Sequence, residues 1–316
     1  MRAAVVDALN TKPYFTDVPE PVETDGALRI KVQWAGLQPT DVLRVRGIYK
    51  NPVFPYIIGG EGIGLLDDGR RVYFGHSIPQ QGAMSEITVV PEAEIWPIPD
   101  DADPQQVIAL ALAGLGALIP LEEAKIRPGE RVLILGATGP VGQIGALVAR
   151  QLGAGAVVGA ARSLPALERM KDHGVLDAVV QLGQGDDDSA LAAEKGERGY
   201  DVVLDPLFGA PAEAAMRSVA EGGRLMSIGT RAGRTMTLTL TELRRRHHHG
   251  VDTGELIRPA AERQAAFERL LAYAKTGNWT IDTLTYDLED VGAAWEAQCG
   301  SPHAKIVIKV CDEHLD

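Results

Sequence analysis

Only two cysteines, Cys299 and Cys311, occur in the 316 residues. That is too few for the disulfide framework of a small secreted domain. No run of about 18 apolar residues is present, so no segment reads as a membrane-spanning helix. The opening MRAAVVDALNTK also lacks the apolar stretch of a secretory signal. Basic residues are in the minority, 31 against 43 acidic, for a formal charge of −12. A general binder of phosphate backbones needs the opposite balance. No internal repeat is visible, and the one biased tract is RRRHHH. These absences imply a soluble cytoplasmic protein with neither nucleic acid nor membrane as partner.

What is present is apolar: 45% of the chain is hydrophobic, enough at this length for about two domains. Residues 1–120 carry short extended patterns broken by Gly and Pro: RAAVV, GALRIKVQWAG, RRVYFG, SEITVV and IWPIPD. In ALRIKVQWAG, apolar residues recur at Leu28, Ile30, Val32 and Trp34, the period of a half-buried strand. DPQQVIALALAGLGALIPLEEA then reads as a helix leading onward. From 130 the texture alternates. Apolar strands RVLILG, GAVVGAA, DAVVQL, DVVLDP and GRLMSIG are separated by helical PVGQIGALVARQLG, LPALERMKDHG, SALAAEK and APAEAAMRSVAEGG. This alternation predicts a parallel sheet covered on both faces, an α/β doubly wound domain over 121–256. The tail 257–316 returns to strand material and is expected to rejoin residues 1–120.

LILGATGPVGQIG places Gly136-x-x-Gly139-x-x-Gly142 between a buried strand and a helix. Gly139 lets backbone approach a pyrophosphate, and Gly142 lets the helix pack on the strand. Pro140 suits the first helical position. The amides of Val141 and Gly142, together with Thr138 in the turn, are candidates to hold the anion at the helix start. At the end of the second strand, an NAD site usually carries a carboxylate for the ribose 2′-hydroxyl. This chain has Ala161, Arg162 and Ser163 there, and no acid before Glu168. A guanidinium matches a 2′-phosphate, so NADPH is the expected cofactor. Arg162 as a solvated surface residue, with Ser163 as a helix cap, is the plainer alternative.

Several stretches together resemble the medium-chain dehydrogenase/reductase superfamily, in its zinc-independent, quinone-oxidoreductase-like branch. They are AGLQPTDVLRVRGIY, GGEGIG, GAMSEITVV, PGERVLILGATGPVGQIG, DVVLDPLFG and GGRLMSIG. The resemblance runs to about residue 310. It implies a GroES-like β-rich catalytic domain formed by 1–120 and 257–316, with a Rossmann domain inserted and the cofactor in the cleft. Where the zinc-dependent branch has its ligands, this chain has Gln38, Gly60 beside Glu61, and a residue near Leu112. A tetrahedral zinc site lacks its N and S donors there, so no catalytic metal is expected. The resemblance places Gln38 at a family Asn and Tyr49 at a family Tyr, and Gly116 replaces a Thr near the nicotinamide. Leu207, Phe208, Gly229 and Thr230 would border the nicotinamide half. Lys305 matches a lysine near the cofactor, unless it is a solvated edge-strand charge. The LLDDGRRVYF segment is shorter than is usual.

Hydride transfer builds negative charge on the acceptor oxygen, and without a metal, hydrogen-bond donors must carry it. The candidates are the Tyr49 hydroxyl, which can also deliver a proton, and the Gln38 amide. Their alternatives are a packed aromatic and a turn residue; Asp41 reads as a helix cap. The expected function is NADPH-dependent reduction of a quinone or α,β-unsaturated carbonyl. A ketone or enoyl reductase of a biosynthetic pathway, and a non-catalytic NADPH-binding sensor or structural protein, are the alternatives. RRRHHHG at 244–250 reads as a basic helix end running into a Rossmann edge strand, with His247 and His249 on one face and His248 on the other. The family expectation is a homodimer across that edge. Its cluster of basic groups leaves acyl-carrier or phosphate-bearing substrates open.

Overall fold

The computed structural model describes residues 1–48, 53–78, 80–252 and 258–311. Strands β1 (Arg2–Val6), β2 (Tyr14–Asp17), β3 (Ala27–Leu37), β4 (Tyr56–Ile57), β5 (Glu61–Leu65), β6 (Arg71–Phe74), β7 (Ile87–Pro91) and β8 (Ile95–Pro97) come first. They are followed by β9 (Arg131–Leu135), β10 (Ala156–Ala161), β11 (Ala178–Gln181), β12 (Tyr200–Asp205), β13 (Val219–Ser227), β14 (His247–Gly250), β15 (Thr283–Asp287) and β16 (Lys305–Lys309). The α-helices are α1 (Pro39–Val45), α2 (Pro104–Ala124), α3 (Pro140–Gln151), α4 (Leu164–Asp172), α5 (Asp187–Glu194), α6 (Gly209–Ser218), α7 (Leu240–Leu243), α8 (Ala260–Gly277) and α9 (Val291–Cys299). They form two compact units, Met1–Leu112 with Thr280–Asp316, and Ala113–Trp279.

The first unit is the β-rich, GroES-like one. A three-stranded sheet, β2-β1-β4, accompanies a seven-stranded sheet in the order β15-β16-β3-β5-β6-β8, with β7 also on β3. In β3, Ile30, Val32 and Trp34 are buried while Lys31 is exposed, as the alternation predicts. A register shift between Val32 and Trp34 interrupts the period, and Gln33 is buried as well. The C-terminal strand β16 runs parallel to β15 and antiparallel to β3. Its Ile306 and Ile308 are fully buried, each stabilising by about 1.5–3 kcal/mol. The short LLDDGRRVYF segment is a tight hairpin: Leu66 N–H donates to Arg70 O at 3.0 Å, and Gly69 takes φ +84°.

The second unit has one six-stranded sheet, β11-β10-β9-β12-β13-β14, with every neighbouring pair parallel. Counted from β9, that is the 3-2-1-4-5-6 order of a Rossmann sheet. Helices cover its faces, so Val132, Leu133, Ile134 and Leu135 are all buried in succession. Gly153, at φ +95°, ends α3 as helix-terminal glycines do, its N–H donating to Arg150 O. One segment departs from expectation. VAEGG reads as the end of a helix, yet α6 stops at Ser218 and β13 begins at Val219. Tyr200 pairs with Val219 before the register jumps to Val202 with Arg224, and this pairing overrides local helix preference.

The units divide at Leu112/Ala113 and Trp279/Thr280, where the sequence analysis put the divisions at 120/121 and 256/257. The reason is α8. Its Leu270 lies where a Cβ on Gly114 would be, and Arg269 and Arg258 pair with Glu122 and Glu123 of α2. Helix α2 is long and apolar enough to cross a membrane by length and composition, but 78% of its most apolar window is buried inside the protein.

Candidate functional site

At the end of β9, Gly136 turns the chain at φ +61°, and its carbonyl accepts the Gly139 N–H at 3.1 Å. The Ala137 N–H donates to Ala160 O, tying the turn to β10, and the buried Gln143 amide donates to Thr138 O at 3.0 Å. Gly139 is the N-cap of α3, Pro140 opens the helix, and no side chain caps it. The helix's own ladder starts with Gln143 N–H to Gly139 O, leaving the Val141 and Gly142 amides for an outside acceptor. The two glycines differ in kind. A Cβ on Gly142 would meet Gly136 O at 2.4 Å, whereas one on Gly139 would meet only that same oxygen, at 3.6 Å. Packing therefore dictates Gly142, while at Gly139 the missing side chain leaves open the space a diphosphate needs.

Ala161, Arg162 and Ser163 follow one another at the end of β10. Ala161 is buried, and the exposed Arg162 guanidinium makes no hydrogen bond or ion pair among the described residues. Ser163 holds the N-cap position of α4, where the plainer alternative puts it, although its hydroxyl makes no capping bond. The ends of β12 and β13 lie beside the Gly-rich turn. Leu207 Cδ2 is 3.3 Å from a Cβ built on Gly136, and a Cβ on Gly116 would rest 3.7 Å from Ile228 and 3.8 Å from Val141. Asp205 organises the first of these ends. One carboxylate oxygen accepts the N–H groups of Leu207 and Phe208 at 2.9 and 2.8 Å, and the other accepts the Ser227 hydroxyl at 2.6 Å. Phe208 sits at φ +55°, and Leu207 O accepts the Ala232 N–H at 2.7 Å. A Cβ on Gly229 would meet Pro206 O at 2.6 Å, and Thr230 beyond it is exposed.

His248 Nε2 stands 3.0 Å from the Ser227 hydroxyl, completing an Asp205–Ser227–His248 chain. Burial raises the Asp205 carboxyl against its hydrogen bonds, and burial lowers the His248 imidazole against the pull of Asp205. The rings of His247 and His249 neighbour each other, with centroids 6.3 Å apart, on the opposite side of β14. RRRHHH is thus a helix end and edge strand, as predicted, and part of its charge is already used. Arg245 pairs with Glu221, and the Arg246 guanidinium donates to Val219 O.

In the first unit the sequence-predicted residues converge on Glu61. Its fully buried carboxylate accepts the Gln38 amide at 2.8 Å and the Lys305 ammonium on one oxygen. On the other it accepts the Tyr73 hydroxyl at 2.9 Å and the Leu112 N–H at 3.3 Å. Gly36 makes room, since a Cβ there would lie 2.5 Å from Glu61 Oε1. The Gln38 N–H donates to the Asp41 carboxylate at 2.9 Å, so the N-cap of α1 is Gln38, and Asp41 braces it from the third helical position rather than being the cap itself. Burial pushes Asp41 up to about 6, against the pull of Arg44. Lys305 is no solvated edge charge: β16 is an interior strand, and the ammonium is buried on Glu61. Tyr49 lies outside the described residues. The positions of the family's zinc ligands are held by Gln38, by Gly60 with no side chain, and by Leu112, a set with no imidazole or thiolate.

Sequence reasoning missed Tyr73, Asp205, Ser227 and His248 as members of these clusters. An acid closing the apolar run DVVLD was the one signal for Asp205. Nothing local distinguished the others.

An open parallel sheet with a Gly-rich turn at its carboxyl edge, in a chain that also builds a β-rich unit, defines a nucleotide-binding two-part fold. The zinc-binding dehydrogenase family matches residues 140–272. A quinone oxidoreductase from Thermus thermophilus, solved alone and with NADPH, superposes with a TM-score of 0.81 at 26% identity, covering 98% of this chain and 100% of that one. The rat quinone oxidoreductase is 26% identical over 228 residues, 68% of each protein. A phenolphthiocerol synthesis type I polyketide synthase from Mycobacterium marinum is 32% identical over 221 residues, 65% of this chain. The chain spans about 10% of that synthase's length. The chain is similar to members of the medium-chain dehydrogenase/reductase superfamily, in its zinc-independent, quinone-oxidoreductase-like branch.

Proposed function

We propose that the protein is an NADPH-dependent reductase that transfers hydride to a quinone or an α,β-unsaturated carbonyl compound without a metal. The observation that carries the cofactor choice is Arg162, an unengaged guanidinium beside the non-capping Ser163 hydroxyl, where an NAD site would carry an acid. The diphosphate would lie over Gly139 on the Val141 and Gly142 amides, with Thr138 and Pro140 shaping the turn. Leu207, Phe208, Gly229 and Thr230 would border the ring end.

NADPH, when bound, supplies a hydride. The protein's part is to bind it in one orientation, stabilise the negative charge that develops on the acceptor oxygen, and complete the addition of one proton. The Gln38 amide is the proposed donor to that oxygen, and Tyr49 the proposed proton source. The absent Thr side chain at Gly116 leaves a wider pocket beside Val141 and Ile228. Likeness to polyketide synthases supports a second reading, enoyl reduction on a biosynthetic acyl chain.

Steady-state oxidation of NADPH and NADH against a panel of quinones, enones, acyl-thioester enoyls and ketones tests the proposal. We expect NADPH to be preferred, with Arg162→Ala cutting that preference by about tenfold to a hundredfold through loss of a charge-assisted contact. Turnover on quinones or free enones supports the first reading, and turnover confined to acyl thioesters the second. Nucleotide binding with no turnover on any acceptor would make the protein a sensor. Tyr49→Phe should lower kcat; an unchanged kcat removes Tyr49 from the chemistry.

A further inference from the structure

Glu61 is an unusual group to find in an apolar interior. Its carboxylate is fully buried and its two oxygens accept four donors, one each from Gln38, Lys305, Tyr73 and Leu112. A carboxylate offers about four acceptor sites, so this one is saturated and has none left for taking a proton from a reacting group. Of the four side chains in the cluster, Glu61, Lys305 and Tyr73 are buried, and only Gln38 is partly exposed. Whatever the cluster does for a ligand passes through the Gln38 amide.

A carboxamide has a donor end and an acceptor end, and in solution it presents either. An ion-paired carboxylate can only accept, so Glu61 selects the orientation with nitrogen inward. The backbone of Gln38 is held as well, by the Asp41 carboxylate at 2.9 Å, and the missing Cβ of Gly36 brings Glu61 close enough to act. We propose that Glu61, neutralised by Lys305, is the positioning residue of the reduction site, fixing the Gln38 amide in one orientation so that its remaining N–H meets the acceptor oxygen as a preset dipole. The proposal rests on the reading of Gln38 as a contact to the acceptor. A preset dipole stabilises developing charge without reorganising first, which an amide free to flip cannot do.

Two measurements test it. Glu61→Gln alone would strand the Lys305 ammonium in the interior, so the pair is neutralised together as Glu61→Gln with Lys305→Met. With Gln38→Ala, this completes a double-mutant cycle in kcat at saturating NADPH with a 1,4-benzoquinone as acceptor. Neutralising the pair should lower kcat by about tenfold to a hundredfold in the wild-type background, the scale of a misplaced catalytic contact, and have no further effect when Gln38 is already Ala. Losses that multiply, or an unchanged kcat on neutralising the pair, overturn the proposal. An unchanged kcat in Gln38→Ala alone overturns the reading of Gln38 itself. Independently of turnover, the Gln38 side-chain N–H that meets Glu61 should exchange with solvent more slowly than its geminal partner in the wild type, as NMR would show, and lose that protection in the neutralised pair. Equal exchange of the two protons in the wild type refutes the fixed orientation even if Gln38 proves essential.

Discussion

Two glycines three residues apart separate folding from binding. Gly142 has backbone 2.4 Å from where its Cβ would be, while Gly139 has nothing nearer than 3.6 Å. Gly142→Ala should therefore destabilise the Rossmann unit, lowering the melting temperature of the free protein. Gly139→Ala, in a φ of −81° that any residue adopts, should melt as the wild type does yet bind NADPH at least about tenfold more weakly, as fluorescence titration would show. Asp41 gives a pH signature. Its carboxyl is raised to about 6 by burial, so the folded state favours the protonated form. That stabilising preference is fully present below about pH 4 and is lost as pH rises through about 6. Asp41→Asn keeps an acceptor for the Gln38 N–H without the buried charge. Its stability relative to wild type should thus rise between about pH 4 and 6 by up to about 3 kcal/mol and level off above. A pH-independent difference in unfolding free energy would contradict this.

Among elements, the junction of α2 with the Rossmann sheet depends on one side chain. Arg224 of β13 donates to the Ala124 and Lys125 carbonyls at the end of α2, to Asp201 O, and to both oxygens of Glu130 at 2.9 and 2.8 Å. It satisfies carbonyls that a helix end leaves open and complements the helix dipole. Burial works against the Glu130 carboxylate, but hydrogen bonds from Arg224 and Arg127 hold it below its ordinary range. Arg224→Met leaves that carboxylate without its fork-shaped partner. It should cost about 3 kcal/mol or more, read as a lower denaturant midpoint. Element identity was legible wherever hydrophobic period and turn residues agreed, as in β3, in β9 with α3, and in the tail strand β16. It was not legible at 219–223, where Ala, Glu and Gly favour no strand and pairing with β12 decides. The partner of helix α8 was not legible either, since the Leu270 contact at Gly114 leaves no periodic mark.

For the whole molecule, the proposed homodimer would form on the edge of the six-stranded sheet. Strand β14 is its last strand, and all four of its residues are exposed. An unpaired edge invites a partner strand, which supports the expected homodimer. The Val251 N–H donates to Ser227 O on the β13 side, so the N–H groups of His248 and Gly250, one residue out of phase with it, face outward. Gly250→Pro removes one outward donor and leaves the Asp205–Ser227–His248 chain its side chains. Sedimentation velocity at micromolar concentration should show a dimer for the wild type and a monomer for this variant. A wild-type monomer would remove the dimer.

The order of apolar strands and amphipathic helices, the Gly-rich turn and the missing acid after β10 are local properties. They were readable from the residues alone, because period, turn chemistry and spacing act between near neighbours. The Glu61 cluster is different in kind. Lys305 and Glu61 lie 244 residues apart in the chain, and no local pattern says that one will neutralise the other. The same holds for Asp205, Ser227 and His248, which three separate strands bring together. Long-range folding settles such groupings, because a buried charge is tolerable only where the fold has already delivered its partners.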